Sequence, residues 1–341
     1  MIKTSVVILN WNGRKLLEQF LDRVVKNSLS RNCSVYVADN GSTDSSCEYI
    51  RAYHPEVTLI ELEQNYGFAE GYNQALRRVE SEYYVLLNSD VEVSTGWLDP
   101  VIDYMDSNPE VAACQPKILS YAERNKFEHA GAAGGFIDKY GYPFCRGRIM
   151  NITEEDNGQY DDIKQIFWAS GACMFIRSSV WQDIGGFDPD FFAHMEEIDL
   201  CWQINNTGNR IIYIPSSVIY HIGGGTLSYD SSRKLFFNFR NNLFLLYKNL
   251  PGDRLHKILF IRMLLDSIAA IRFLLTFKII AFTSVIKAHI DYYRHKKALR
   301  KKREDIQQYR ITYPDKLILN KSLVYGFFIR KKETYSELMK D

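Results

Sequence analysis

SVVILNWNGRKLLEQFLDRVV, residues 5–25, passes from an unbroken β-branched and aliphatic run through a polar turn into a pattern with apolar residues at three- and four-residue steps. That change of period, from strand to helix, is one βα unit. The pattern recurs: SVYVAD is followed by SSCEYIRAY, VTLIEL by AEGYNQALRRV, and YYVLLN by WLDPVIDYM. Such alternation predicts an α/β fold with an open, mostly parallel sheet flanked by helices. From about residue 127 the rhythm loosens. EHAGAAGGF and YGYPF read as turns or a hairpin, QIFWASGACMFI as one long strand, and RIIYIP and SVIYHI as the closing strands. Near residue 230 the style changes to long helical patterns, so the expected division is a catalytic unit over 1–230 and a helical C-terminal region over 231–341.

Composition excludes several classes. A chain of 341 residues with 46% apolar content can bury a sizeable core, and a net charge of +1 gives no global field suited to nucleic acid. The one basic run lacks the interleaved aromatics of a base-stacking platform. Six cysteines without a CxxC pair read as reduced thiols rather than a zinc or redox site. The first apolar run begins at Ser5, leaving no room for a signal peptide, and the expectation is a cytoplasmic protein.

In an open α/β sheet, ligands collect beyond the carboxyl ends of the strands. Asn10-Trp11-Asn12-Gly13, Asp39-Asn40-Gly41-Ser42 and Asn88-Ser89-Asp90 all follow strands, so three polar clusters converge there. Neither a dinucleotide glycine fingerprint nor a P-loop follows the first strand. The glycines at 131–135 and 223–225 read as turn glycines. Asp90 is placed either to cap its turn or to bind a hard divalent cation that also bridges phosphate. Asp39 suits a helix cap, a ribose hydroxyl or a base N–H.

VVILNWNG, VADNGSTD, NYGFAEGYNQAL, LLNSDVEV, SGACMFIRSSVW, GGFDPDFFAHMEEIDLCW and YIPSSVIYHIGG, in this order and extending to RNNLFLLYKN, resemble the family-2 glycosyltransferases of GT-A fold, and within them the bacterial rhamnosyltransferase-like branch. The resemblance implies transfer of a hexosyl-type sugar, with inversion, from a nucleoside-diphosphate donor such as dTDP-rhamnose or a UDP-sugar. The acceptor would be a saccharide, lipid-linked, in surface polysaccharide synthesis. It places Leu9 and Trp11 at the base, Asp39 at base or ribose, and Gly71 and Asn73 beside that pocket. Asn88, Ser89 and Asp90 stand where the family has a DxD motif, with an amide replacing the first acid, so Asp90 and His221 are the implied ligands of Mn2+ or Mg2+. Trp168, Ser170 and Gly171 match a segment beneath the donor sugar. Glu196-Glu197-Ile198-Asp199 matches the acidic motif that carries the general base; Glu197 is the implied base, with Glu196 and Asp199 supporting. Phe191, Phe192 and Trp202 read as core or as an apolar wall for the acceptor. A sugar-nucleotide hydrolase, a nucleotidyltransferase and a non-catalytic nucleotide-sugar binder are the other readings; activity toward an acceptor separates them.

Beyond residue 250 no uncharged run reaches the ~18 residues of a spanning helix. Placed on one helix at ~100° per residue, Arg254, Arg262, Asp266, Arg272 and Lys287 share an arc of about 120° and leave a broad apolar face, broken by Lys257 and Lys278. The basic run RHKKALRKKR follows. The expectation is a tail that docks peripherally on the anionic inner face of the cell membrane, or packs on protein; self-association stays open.

Overall fold

The computed structural model describes residues 2–30, 32–223 and 232–340. Among the described residues, fourteen strands and eleven α-helices follow in chain order: β1 (Thr4–Asn10), α1 (Arg14–Ser28), β2 (Cys33–Asp39), α2 (Ser46–Tyr53), β3 (Thr58–Glu61), α3 (Gly67–Leu76), β4 (Tyr83–Asn88), β5 (Val91–Val93), α4 (Asp99–Ser107) and β6 (Val111–Ser120). Then come β7 (Gly135–Asp138), β8 (Pro143–Cys145), β9 (Arg148–Ile149), β10 (Ile152–Thr153), β11 (Lys164–Gln165), β12 (Cys173–Arg177), α5 (Ser178–Ile184), α6 (Glu196–Asn206) and β13 (Arg210–His221). The C-terminal part holds α7 (Ser232–Asn249), α8 (Gly252–Leu275), α9 (Ile279–Tyr309), β14 (Ile318–Leu319), α10 (Leu323–Phe328) and α11 (Tyr335–Met339).

The main sheet runs β11-β13-β6-β12-β4-β1-β2-β3, with β5 on β13. β3, β2, β1 and β4 are parallel, whereas β12 is antiparallel to both its neighbours. Period-two alternation assigns the two faces. Val6 and Ile8 pack under α1 with Leu17, Leu21 and Val24, while Val7 turns to the opposite layer with Tyr72, Leu86, Trp168 and Trp202. Helices on both faces explain why β1 is apolar throughout. A second sheet, β10-β9-β8-β7-β14, lies beyond β6 in sequence and takes its last strand from the C-terminal region.

Three expectations change. QIFWASGACMFI is not one strand: β11 ends at Gln165 and β12 starts at Cys173. The peptide groups between bond elsewhere, Trp168 to Gly135 in the second sheet and Ser170 N–H to Gln115 Oε1 at 2.8 Å. RIIYIP and SVIYHI are one strand, β13, with a register shift between Ile214 and Val218. The C-terminal pattern is two helices, α8 and α9, separated at Thr276–Lys278. EHAGAAGGF and YGYPF do form the turn and hairpin of β7 and β8.

The expected boundary at 230/231, and Gly224 and Gly225, lie outside the described residues. On either side of it, Leu243, Leu246, Leu255 and Tyr292 share one continuous apolar cluster with Tyr72 and Trp202. All six cysteines are unpaired.

Candidate active site

The parallel register sets Asn10 beside Asp39 and Leu9 beside Asn88, so the three polar strand ends meet. Asn10 Nδ2 donates to Asp39 Oδ2 at 2.9 Å, and the other oxygen of Asp39 accepts from Ser42 N–H at 2.9 Å. This buried network fixes the turn after β2. Trp11 projects from the rim, 45% exposed, above half-buried Leu9. Gly71 lets α3 approach Leu9: a Cβ there would stand 3.0 Å from the leucine side chain. Asn73 is engaged differently from the expectation, its amide donating to Phe187 C=O at 2.8 Å and accepting from Phe187 N–H at 3.0 Å. Its second N–H goes to Glu70 Oε2 at 3.0 Å, so the amide ties α3 to the Phe187 loop at the border of the pocket.

At the end of β4, Asp90 Oδ1 lies 3.0 Å from His221 Nε2, which also has Asn88 Nδ2 at 3.4 Å. β5 on β13 brings this about, pairing Val91 with His221. On the other side of the ring, Glu128 Oε2 is 3.2 Å from Nδ1, an ion-pair distance without the alignment of a hydrogen bond. All three side chains are buried. Burial opposes charge on the imidazole, but the Asp90 and Glu128 carboxylates outweigh it and raise it to about 10. Half-buried Ser89 completes the turn. Glu128 was not anticipated; the acid-histidine pair immediately before the 131–135 glycines was its only signal. Lys234, in the first turn of α7, adds a cation whose field reaches Glu128, His129 and His194.

The acidic trio opens α6 and divides into different roles. Asp199 is wholly buried, accepting from Lys248 Nζ at 2.6 Å and Asn249 Nδ2 at 2.7 Å. It is a packing anchor between α6 and α7 rather than a member of the site, which corrects its expected supporting role. Glu196 is buried with Oε2 unpartnered, and burial first, then Glu197, holds its carboxyl well above the usual range. Glu197 is half-buried, and its Oε2 also lacks a hydrogen-bond partner. Burial raises this carboxyl to about 7, against backbone N–H groups of the helix start that favour the charged form.

The turn before α6 is strained: Phe192, His194 and Met195 all have positive φ, at 62°, 70° and 73°. Non-glycine residues hold such conformations only where the surroundings impose them. Here the source is α7. Asn241 Nδ2 bonds to the carbonyls of Phe191, Ala193 and His194 at 3.0, 2.9 and 2.7 Å, and Arg240 Nη2 to that of Asp190 at 2.7 Å. Arg240 and Asn241 thus hold the loop that precedes Glu197.

Gly171 packs beside Glu197; a Cβ at 171 would lie 4.0 Å from that of Glu197 and 3.2 Å from the Phe68 ring. The Gly171 segment is tied to the Asp90 turn by Asn88 N–H to Ala172 C=O at 3.0 Å. Ser170 is buried and supports the loop through Gln115 and the Ala130 carbonyl. Trp168 is likewise buried, its indole N–H on Phe136 C=O at 2.9 Å, and it lies in the core beneath the loop. Phe191 and Trp202 are core as well, while half-buried Phe192 stacks on Phe237.

Asp90 supplies a hard oxygen, and His221 an imidazole nitrogen once the imidazolium gives up the proton it holds beside Asp90, a donor set suited to Mn2+ or Mg2+ with further positions left to phosphate and water. Among the described residues, no three His, Cys, Asp or Glu side chains are arranged to hold a metal unaided. Conversion of Asp90 to Asn is expected to weaken Mn2+ binding by about tenfold or more, read from free Mn2+ by electron paramagnetic resonance. Unchanged affinity would remove Asp90 from the ligand set.

The solved structures that share this mostly parallel sheet and its flanking helices are GT-A glycosyltransferases. GalNAc-T7 with UDP, GalNAc and Mn2+ superposes with a TM-score of 0.56 over 73% of this chain and 48% of that one, at 16% identity. A mannosyltransferase from Pyrobaculum calidifontis with GDP-Man and Mn2+ gives 0.52 over 84% and 73%, at 17% identity. The model of glycosyl transferase family 2 matches residues 5–185, more than half of the chain, and the protein belongs to that family. An N-acetylglucosaminyl-diphospho-decaprenol L-rhamnosyltransferase of Mycobacterium tuberculosis is 25% identical over 232 residues, 63% of this chain and 75% of that one. A low-salt glycan biosynthesis hexosyltransferase of Haloferax volcanii is 22% identical over 242 residues, 70% and 73%.

Proposed function

We propose that this protein moves a sugar from a nucleoside-diphosphate donor to a saccharide hydroxyl with inversion, in glycan or polysaccharide synthesis. Relatives with rhamnosyl- and hexosyltransferase names support dTDP-rhamnose or a UDP-sugar as donor, and a lipid-linked acceptor follows from the decaprenol named for one of them. The observation that carries the reading is Glu197: a carboxylate oxygen, buried without a partner, on a side chain that packs beside Gly171. An unpartnered buried acceptor atom of this kind is poised to receive a proton-bearing group.

The chemistry follows from placement. Trp11, Leu9 and Asp39 border the nucleoside end, and Asp90 with His221 would hold a divalent ion on the diphosphate. When bound, that ion supplies Lewis-acid stabilisation of the departing diphosphate. Glu197 takes the proton of the acceptor hydroxyl as its oxygen bonds to the anomeric carbon; the bond from that carbon to the diphosphate breaks, and the electron pair leaves with phosphate. Attack opposite the leaving group inverts the centre.

Since Glu197 must be ionised to act, transfer is expected to rise with pH and level off above about 7. The sign for stability is opposite: a carboxyl raised from 4.5 to about 7 costs stability as pH climbs between those values. Initial rates across pH 5–9, with denaturation at the same points, check both. Thermal shifts with dTDP-rhamnose and a panel of UDP-sugars, with and without Mn2+, test the donor class; no Mn2+-dependent shift with any nucleotide sugar would overturn it.

A further inference from the structure

The α8–α9 hairpin buries an ion pair beside Leu255, Leu259 and Ala270 and leaves a second apolar stripe outside. Arg262 and Asp266 are buried, 4% and 0% exposed; Arg262 lies over the Tyr142 ring and bonds Asn242, and Asp266 pairs with it at 2.8 Å and with His289 at 3.2 Å. The middle of the charged arc therefore packs on the protein, while Arg254, Arg272 and Lys287 remain exposed. The apolar stripe at 260, 264, 268, 271 and 275 faces outward, with Phe260 70%, Leu275 74% and, past the turn, Ile280 69% exposed. Contiguous exposed apolar surface of this length marks an interface.

The tip is the most pronounced part. α8 closes with Lys278 N–H on Phe273 C=O at 2.8 Å, and Phe277 takes the left-handed position of that motif at φ 58° with 89% of its surface exposed. Glycine is the residue this position favours. An aromatic ring held there against backbone preference, and projected away from all packing, has no role within the fold.

Charge decides the occupant. Between Lys257 and Lys301 the helices carry nine Lys and Arg besides the buried Arg262, against only Asp266 and Asp291, and both acids are paired internally. A two-fold contact between copies would set these cations against one another. An anionic bilayer would not, and no helix among the described residues is long and apolar enough to cross one. Not all of the basic run is available: Lys302 pairs with Asp188 and Asp190, and Arg303 bonds the Tyr247 and Leu250 carbonyls. Those contacts fix the hairpin's orientation instead.

We infer that the α8–α9 hairpin lies in the headgroup layer of an anionic membrane, Phe277 and Ile280 inserted among the acyl chains and the basic residues at the level of the lipid phosphates. A cleft of about 230 Å³ beside the tip, lined in part by Arg233, Phe236 and Lys287, then opens at the same level. Phe192 links it to the active site, stacked on Phe237 at 5.5 Å between ring centres with Arg233 above both rings.

Flotation with phosphatidylcholine vesicles, with and without phosphatidylglycerol, tests this without donor or acceptor, so its failure leaves the transferase reading standing. The full chain should float with the anionic vesicles at low salt, more weakly at high salt, and hardly at all with neutral ones. Phe277→Gly relieves the backbone conformation, so its melting temperature should hold or rise while vesicle affinity falls about tenfold or more. Ile280→Asp should do likewise. A wild-type chain left at the bottom with every vesicle, or both variants floating as well as it does, overturns the inference; so does a concentration-dependent dimer, lost in Phe277→Gly, in place of vesicle binding.

Discussion

Glu197→Gln is expected to lower the rate of sugar transfer by ~10²–10⁴, the usual contribution of a positioned general base. Nucleotide binding should be unchanged, since no nucleoside or diphosphate contact is assigned to this side chain. Stability should hold or increase, because a carboxylate lifted by burial is replaced by a neutral group. The neighbouring Glu196→Gln makes the control. Burial, and then the charge of Glu197, hold the Glu196 carboxyl well above the usual range and disfavour the ionised form a base needs, so its loss should alter transfer by less than about tenfold. Transfer at wild-type speed in Glu197→Gln, or equal losses in the two variants, would assign the base elsewhere.

The largest stability effect is expected at Lys248. Its ammonium, 2% exposed, is 2.5 Å from Asp188 and 2.6 Å from Asp199. Lys248→Met leaves Asp199 with only the Asn249 and Gln203 amides, while Asp188 retains Lys302. Stranding one partner of a buried pair costs about 3–5 kcal/mol, to be read as a fall in urea midpoint at constant slope. Adding Asp199→Asn should recover part of the loss, because the two positions couple directly. A change below about 1 kcal/mol would mean that the α6–α7 contact is held by apolar packing alone. The two carboxylates respond oppositely to the same lysine. Burial would raise Asp188, but two lysines overcome it and bring it to about 2; Asp199 is more deeply enclosed, has one lysine and feels Asp188, so it is raised. The Asp188 contribution to stability is complete above its ordinary value of 3.8 and disappears as pH falls toward about 2.

What sequence revealed, and what it hid, follows from chain separation. Asn10, Asp39 and Asp90 were legible because each directly follows an apolar strand, and parallel pairing then brings those ends together. The acidic trio stood out because charge interrupts a run otherwise fit for a core. Their division of labour did not: Asp199 is set apart by residues 49 and 50 positions away in α7, and no local period encodes that contact. The support of the 191–195 turn by Asn241, and of His221 by Glu128, was hidden for the same reason. QIFWASGACMFI misled because an apolar run can be one buried strand or two segments around a buried loop, and only the partners of its peptide groups decide. In α8 the facing of Arg262 and Asp266 was hidden, since charged residues can meet solvent or, when internally paired, the protein.

A crystal structure with a bound nucleoside-diphosphate sugar and Mn2+ tests the central claim most directly. The account predicts the ion and diphosphate against Asp90 and His221, with the anomeric carbon presenting its opposite face to the Glu197 carboxylate. A donor seated with that face turned away from Glu197, or with its diphosphate remote from Asp90, would contradict it.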